Sequence, residues 1–301
     1  MISPTERYLQ AARREGTQRR YHQAVEHFES EWGGFLPASS ESVVRYLAEH
    51  AELLSVGTLR THLAALAQWH KKHGFVDPTK EARVRDVLRG IQAEHPRPVK
   101  QAEALSLQAL EACVAELEVA STSLDLGVRL RANRDRALIL LGFWRAFRAD
   151  DLCRLRVEHI QVQTGEGLKF FLATGKTDRE NRGRTFSVPA LKRLCPVQAY
   201  EDWLRISGIN EGPAFRAIDR WGHLGAQGLN PNSVSRLLRM TFLRSGLSAE
   251  YSGHSLRRGF ATWASRNEWG TKALMDYVGW KDVQSALRYI DTSAPFGDLA
   301  R

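Results

Sequence analysis

Residues 253–263 read GHSLRRGFATW and residues 278–290 read VGWKDVQSALRYI, which brings His254, Arg257, Trp280 and Tyr289 into one short span near the end of the chain. His254 and Arg257 are three residues apart, so on a helix they share a face from which Arg258 is rotated away. Tyr289 falls in a helical pattern whose apolar stripe is Val283, Ala286, Leu287 and Ile290; at 100° per residue the tyrosine lies on the flank of that stripe and can reach out of the core. An isolated tyrosine there would read as half-buried, with its hydroxyl at the surface. A phenol, with a pKa of about 10, is a poor nucleophile at neutral pH unless cations stabilise its oxyanion, and this span supplies them.

Upstream, residues 106–119 and 124–145 read as helices, and the pattern then shifts to three short β-like runs, HIQVQ, LKFFLA and RTFSVP. TGEG and GKTDRENRG separate these runs, which predicts a small antiparallel sheet, and from Pro196 to Ile290 the reading is predominantly helical. Residues 93–102, AEHPRPVKQA, carry two prolines and lose the apolar period, as a linker does. Before it the chain reads as helices over 17–32, 40–53, 58–73 and 79–91. In the third, Leu59, Leu63, Leu66 and His70 form one face, with Arg60, Ala64 and Lys71 on another. The expected fold is mainly α with a small antiparallel β-sheet, in two domains: a helical bundle over 1–92 and an α+β domain over 103–301.

A chain of 301 residues that is 43% hydrophobic can bury a substantial core. The longest apolar run, 137–144, is too short to span a bilayer, and MISPTERYLQAARR lacks a signal peptide's apolar stretch, so a cytoplasmic protein with no membrane partner is expected. Cys113, Cys153 and Cys195 form no C-x-x-C pair and suggest neither a disulfide framework nor a zinc site. The formal charge is +9, with 34 Arg against 9 Lys. Such an excess favours a polyanion, above all nucleic acid, and the planar arginine fork suits bidentate phosphate contact.

RDRALILLGFWRAFRADDL, a lysine between two strands, HSLRR, GW and the final RYI occur in order, and over about 103–290 the chain resembles the tyrosine recombinase (phage integrase) family. The resemblance implies an N-terminal core-binding (SAM-like) bundle, a catalytic domain, and cleavage of duplex DNA through a covalent 3′-phosphotyrosyl intermediate, with no metal, ATP or other cofactor. It makes Tyr289 the nucleophile and gives Arg148 and Arg257 the non-bridging oxygens of the scissile phosphate, where a guanidinium stabilises the developing charge. Taken singly, either arginine would read as a surface or ion-pair residue. His254 would bond the phosphate and help accept the tyrosine proton. Trp280 stands where many relatives have histidine; an indole N–H donates a hydrogen bond but transfers no proton, and core packing is its ordinary role. Lys176 aligns with the family's hairpin lysine, the acid for the leaving 5′ oxygen, with Lys169 inside a strand as its rival and a solvated charge as the plain alternative. Asp151, three residues after Arg148 on the same helix face, matches an acidic position that orients Arg148 or His254, or is an ordinary surface carboxylate.

In relatives the two domains clamp duplex DNA. The face with Arg60, Ala64 and Lys71 is either a groove contact or a solvated surface, and Arg236, Arg239 and Arg258 are further DNA-contact candidates, Arg258 with a structural alternative. Cutting four strands implies homodimers on inverted half-sites and a homotetramer in synapsis. Only 12 residues follow Tyr289, so docking of the tail into a neighbour through Phe296 or Leu299 is an open expectation. A type IB topoisomerase and a catalytically silent DNA-binding protein of the same fold are the competing readings.

Overall fold

The structure, a computed structural model, describes residues 3, 7–8, 15–96, 101–163, 165–173, 183–247, 250–280 and 282–287. The chain divides into two compact units, Met1–Lys100 and Gln101–Arg301.

The first unit contains α1 (Glu15–Glu26), continued by a π turn (His27–Glu31), then α2 (Ser40–Glu49), α3 (Val56–Lys72) and α4 (Ala82–Glu94). Ser39 and Ser55 start α2 and α3 by accepting the backbone N–H groups of Ser42 and Thr58. Phe28, Val43, Leu47, Leu59, Leu66, Val84 and Ile91 form the core. As the apolar period predicts, α3 buries Leu59, Leu66 and His70 and leaves Arg60, Ala64 and Lys71 exposed. His70 is a satisfied core residue: its Nε2 accepts the Ala38 N–H at 2.8 Å, which puts its proton on Nδ1, 2.8 Å from the Leu66 carbonyl. Helix α4 runs two residues into the stretch read as linker, since its apolar period ends at Ile91 but nothing breaks the helix before Pro96.

In the second unit α5 (Leu107–Ala120) and α6 (Leu126–Trp144) are capped by Ser106 and Asp125, and α7 (Ala149–Cys153) follows a short turn. Three antiparallel strands come next, β1 (Ile160–Gln163), β2 (Gly167–Leu172) and β3 (Arg184–Pro189), in sheet order β1-β2-β3. Helix α8 (Pro196–Ser207), a hairpin of β4 (Arg216–Ile218) and β5 (Leu224–Gly228), α9 (Pro231–Arg244), α10 (Gly253–Arg266), α11 (Thr271–Val278) and α12 (Val283–Leu287) complete the described chain. The fold is thus mainly α with small antiparallel sheets, as expected from the sequence. The β4–β5 hairpin falls in a region read as helical. Its strands, RAI and LGAQG, are too short and too poor in β-branched residues to signal themselves, and a register shift between Arg216 and Ile218 breaks their alternation.

Helix α6 is the centre of this unit. Residues 137–144 are buried on every side, as a helix enclosed by neighbours must be, with α5, α8 and α10 packed around it. The β2 strand turns Leu168, Phe170 and Leu172 inward and exposes Lys169 and Phe171. Helix α10 crosses α6 where both carry glycine. A Cβ on Gly142 would meet Leu256 Cδ1 at 2.7 Å, and one on Gly259 would stand 2.2 Å from the Leu105 carbonyl oxygen and 2.8 Å from Phe143. The expected stripe on α12 is corrected: Ala286 is fully buried, but Val283 and Leu287 are 52% and 51% exposed. Ile290, the fourth position of that stripe, lies outside the described residues.

Two outcomes follow from this packing. Gly259→Ala, which drives a methyl into backbone, is expected to destabilise the protein by about 1–3 kcal/mol in denaturant unfolding; an unchanged midpoint would refute the close approach. In the first unit the Tyr46 hydroxyl lies 2.8 Å from His27 Nδ1 and 2.5 Å from His62 Nδ1. Burial lowers the His62 pKa, repulsion from His27 and His50 adds to this, and Glu31 opposes it. The unfolded chain then takes up a proton that the folded one resists, so the stability tied to His62 is complete above pH ~6.5 and is lost as pH falls through the lower folded value. Between pH 7.5 and 5.5, wild type should lose more thermal stability than His62→Gln. Parallel curves for the two proteins would contradict this.

Candidate active site

Helix α6 ends at Trp144, and the chain turns through Ala146, whose φ of 52° puts a non-glycine residue in the left-handed region at a cost of about 1–2 kcal/mol. The turn delivers Arg148 as the cap of α7, with extended backbone (φ −77°, ψ 158°). This corrects the expectation that Arg148 and Asp151 share a helix face: Arg148 precedes the helix. The Asp151 carboxylate accepts the backbone N–H of Arg148 at 3.0 Å, and the Arg148 guanidinium lies 4.0 Å from the same oxygen. One buried acidic side chain thereby fixes the start of α7 and sits beneath the guanidinium, the arrangement of an orienting residue. The Arg148 side chain is one-quarter exposed, enough to meet a ligand.

Arg257, on α10, is 3% exposed. Its Nη1 donates to the Ala146 carbonyl at 2.6 Å and its Nη2 to the Val278 carbonyl at 3.4 Å. Its Cζ stands 5.3 Å from the centre of the Trp280 ring. The guanidinium therefore ties the turn before Arg148 to the end of α11, and α11 stops two residues before Trp280. That stop is a left-handed Gly279 (φ 78°), with the N–H groups of Gly279 and Trp280 both donating to the Met275 carbonyl, at 2.8 and 2.9 Å. Trp280 is 8% exposed and so packs as core beside Arg257. His254 lies exposed in the first turn of α10, one turn before Arg257. Arg148, Asp151, Arg257 and Trp280 are thus gathered by one turn, one helix end and one guanidinium, with His254 on the helix that carries Arg257.

Lys176 and Tyr289, the expected acid and nucleophile, lie outside the described residues, as do Phe296 and Leu299. Arg258 is partly buried and donates to Gln101 Oε1. Arg236 and Arg239 are exposed on α9. In the first unit Arg60 and Lys71 are exposed on α3, and Arg60 donates to Gln92 Oε1 at 2.7 Å.

Three residues beside the site were not singled out by motif. Arg145 is 5% exposed, and burial lowers its pKa to about 10, so it remains a cation at neutral pH. Its guanidinium faces Tyr277, whose hydroxyl donates to the Trp144 carbonyl at 2.8 Å. Arg184, at the start of β3, donates to the Asp276 carbonyl at 2.7 Å, and a Cβ on Gly279 would strike its Nη1. The one available signal was Arg145 itself, an arginine in the apolar stretch LILLGFWRAF.

Comparison with known proteins is consistent with this geometry. The chain matches the phage integrase family over residues 121–294. It is 30% identical over 271 residues to an integrase/recombinase XerD homologue of Selenomonas ruminantium, covering 88% of this chain and 77% of that protein. To the Cre recombinase of Escherichia phage P1 it is 24% identical over 273 residues, covering 85% and 77%. Among solved structures, XerH recombinase bound to a palindromic difH substrate in a post-cleavage complex has a TM-score of 0.63 at 15% identity, covering 90% of this chain and 75% of that one. A lambda integrase dimer bound to a COC′ core site has a TM-score of 0.60 at 16% identity, covering 96% and 94%. These two share the fold. With the family matched over more than half its length, the chain belongs to the phage integrase family of tyrosine recombinases.

Proposed function

We propose that the chain is a site-specific DNA recombinase that cuts and rejoins duplex DNA through a 3′-phosphotyrosyl intermediate on Tyr289. The observation that carries this reading is the Arg257 guanidinium, held by the Ala146 and Val278 carbonyls between the segments that lead to Arg148 and Trp280. Such preorganised cations stabilise charge that develops on a phosphate in the transition state. In the reaction the Tyr289 oxygen attacks the phosphorus while its proton passes to His254. Arg148 and Arg257 hold the non-bridging oxygens, and the Trp280 indole N–H adds one hydrogen bond. The bond to the 5′ oxygen breaks, and Lys176 gives that oxygen its proton. Phosphodiester energy is retained in the tyrosyl link, so a 5′ hydroxyl from a second strand reverses the step without ATP or metal.

Residues 1–92 serve as the core-binding domain, residues 93–102 as linker and residues 103–301 as catalytic domain. Arg60 and Lys71 in the first, with Arg236 and Arg239 in the second, are exposed cations suited to the DNA backbone. Exchange between two duplexes requires a homodimer on each pair of inverted half-sites and a tetramer in synapsis; the lambda integrase relative was solved as a dimer on a core site. Relatives named recombinases and integrases favour exchange over simple relaxation of one duplex.

The test starts from DNA fragments retained by the protein from its source genome, rebuilt as nicked substrates that trap the covalent state. Wild type should give an adduct that survives denaturant. Tyr289→Phe should bind the same DNA and give none; an adduct in the variant would overturn the nucleophile, and tight binding without adduct by wild type would make the chain a silent DNA-binding protein.

A further inference from the structure

Buried charge without a carboxylate partner is costly, and replacing it with apolar residues is often neutral or stabilising, so its presence calls for a role beyond packing. Arg145 comes close to this case: among the described residues the carboxylate that attracts it is Asp151, the weakest of the influences on it, and it shares a hydrogen bond with Tyr277. It is 5% exposed, and neither its Nε nor its Nη1 has a hydrogen-bond partner among the described residues. Three aromatic rings stand in for one: the guanidinium carbon lies 4.0 Å from the centre of Tyr277, 4.7 Å from Phe186 and 5.9 Å from Phe147. A desolvated guanidinium over a ring face is the stronger form of this attraction.

The rings belong to three different segments that lead into the site. Tyr277 is in the last turn of α11, just before Gly279 and Trp280. Phe147 immediately precedes Arg148 and meets Phe186 edge to face at 5.4 Å. Phe186 is on β3, paired with Phe170 of β2, so it belongs to the stem whose connecting loop contains Lys176. A second cation braces the same stem: Arg184 lies 5.1 Å from the Phe186 ring and bonds the Asp276 carbonyl of α11.

We propose that Arg145 is a positioning residue for leaving-group departure: clamped between Tyr277 of α11 and Phe186 of β3, it fixes the β2–β3 stem against the segment that carries Trp280. This rests on the assignment of Lys176 as the acid. The guanidinium touches no reacting atom; it sets where the stem stands, and Lys176 falls in sequence between the two strands of that stem. Removing the clamp should therefore slow the step in which the 5′ oxygen takes a proton, while the phosphate contacts of Arg148 and Arg257 persist.

A substrate with sulfur in place of the scissile 5′ oxygen separates these effects. Tyrosine attack then breaks a P–S bond, and a thiolate, far more stable than an alkoxide, leaves without needing a proton. On the ordinary phosphodiester, Arg145→Met should cleave roughly thirtyfold more slowly, the rate equivalent of one desolvated cation–π contact, with DNA affinity unchanged. On the sulfur substrate it should return to within about twofold of wild type, and Arg145→Lys should recover part of the loss on oxygen. Phe186→Leu, which removes the hairpin half of the clamp and leaves Arg145 in place, should show the same oxygen-selective defect and stands in if Arg145→Met fails to fold. Equal slowing on both substrates, or none on either, overturns the proposal. Lys176→Ala is the control. If it recovers on sulfur and Arg145→Met does not, the clamp is wrong and the acid assignment stands. If Lys176→Ala fails to recover, the acid assignment falls and the clamp's role with it.

Discussion

The guanidinium of Arg257 is the contact on which the rest of the second unit depends. It crosses 111 residues of sequence to reach the Ala146 carbonyl and 21 to reach that of Val278, and both bonds come from one planar, permanently charged fork. The arrangement requires α10 to lie close against its neighbours, which the glycines at 142 and 259 permit. It also requires the Ala146 carbonyl to face Arg257, which the left-handed backbone there accompanies. Strain in the turn and burial of the charge both disfavour folding; the two carbonyl bonds and the face of Trp280 offset them.

Around this tie the unit places cations at unequal depth. Arg257 and Arg145 are buried, and their positions are set by carbonyls in one case and aromatic rings in the other. Arg148 is partly open, with Asp151 anchoring its backbone N–H and not fully neutralising its guanidinium at 4.0 Å. Such a graded set fits the proposed phosphate chemistry: Arg145 fixes the frame, Arg257 acts on the phosphate from the buried side, and the more open Arg148 meets it from the surface. The first unit has a different logic, a helical core with exposed cations on α3 and, beside Tyr46, His62, whose pKa burial lowers.

Periodicity made most of the fold legible. Helices α2 to α6 and strands β1 to β3 lie close to the expected spans because each has an apolar period and most begin at a residue such as Ser39, Ser55, Ser106 or Asp125. What escaped was set by tertiary context. The β4–β5 hairpin lacks alternation, Val283 and Leu287 of α12 are half-exposed where a buried stripe was expected, and Arg148 turned out to cap α7 instead of lying in a helix. In the site, the spacing of His254 and Arg257 could be read because it follows helix geometry. Arg145 could not, since only contacts with Tyr277 and Phe186, from distant segments, distinguish it from a surface arginine. Trp280 reads as both core and site residue, and the structure places it in the core beside the guanidinium.

The most direct test of this account is Arg257→Lys, assayed for single-turnover cleavage beside DNA binding and thermal unfolding. Lysine keeps the charge but cannot span two carbonyls with a planar fork, so cleavage should fall by about 100-fold or more and thermal unfolding should shift to lower temperature, while DNA affinity is largely retained. Cleavage near the wild-type rate would show that the charge suffices and that the fork joining Ala146 to Val278 does not organise the site.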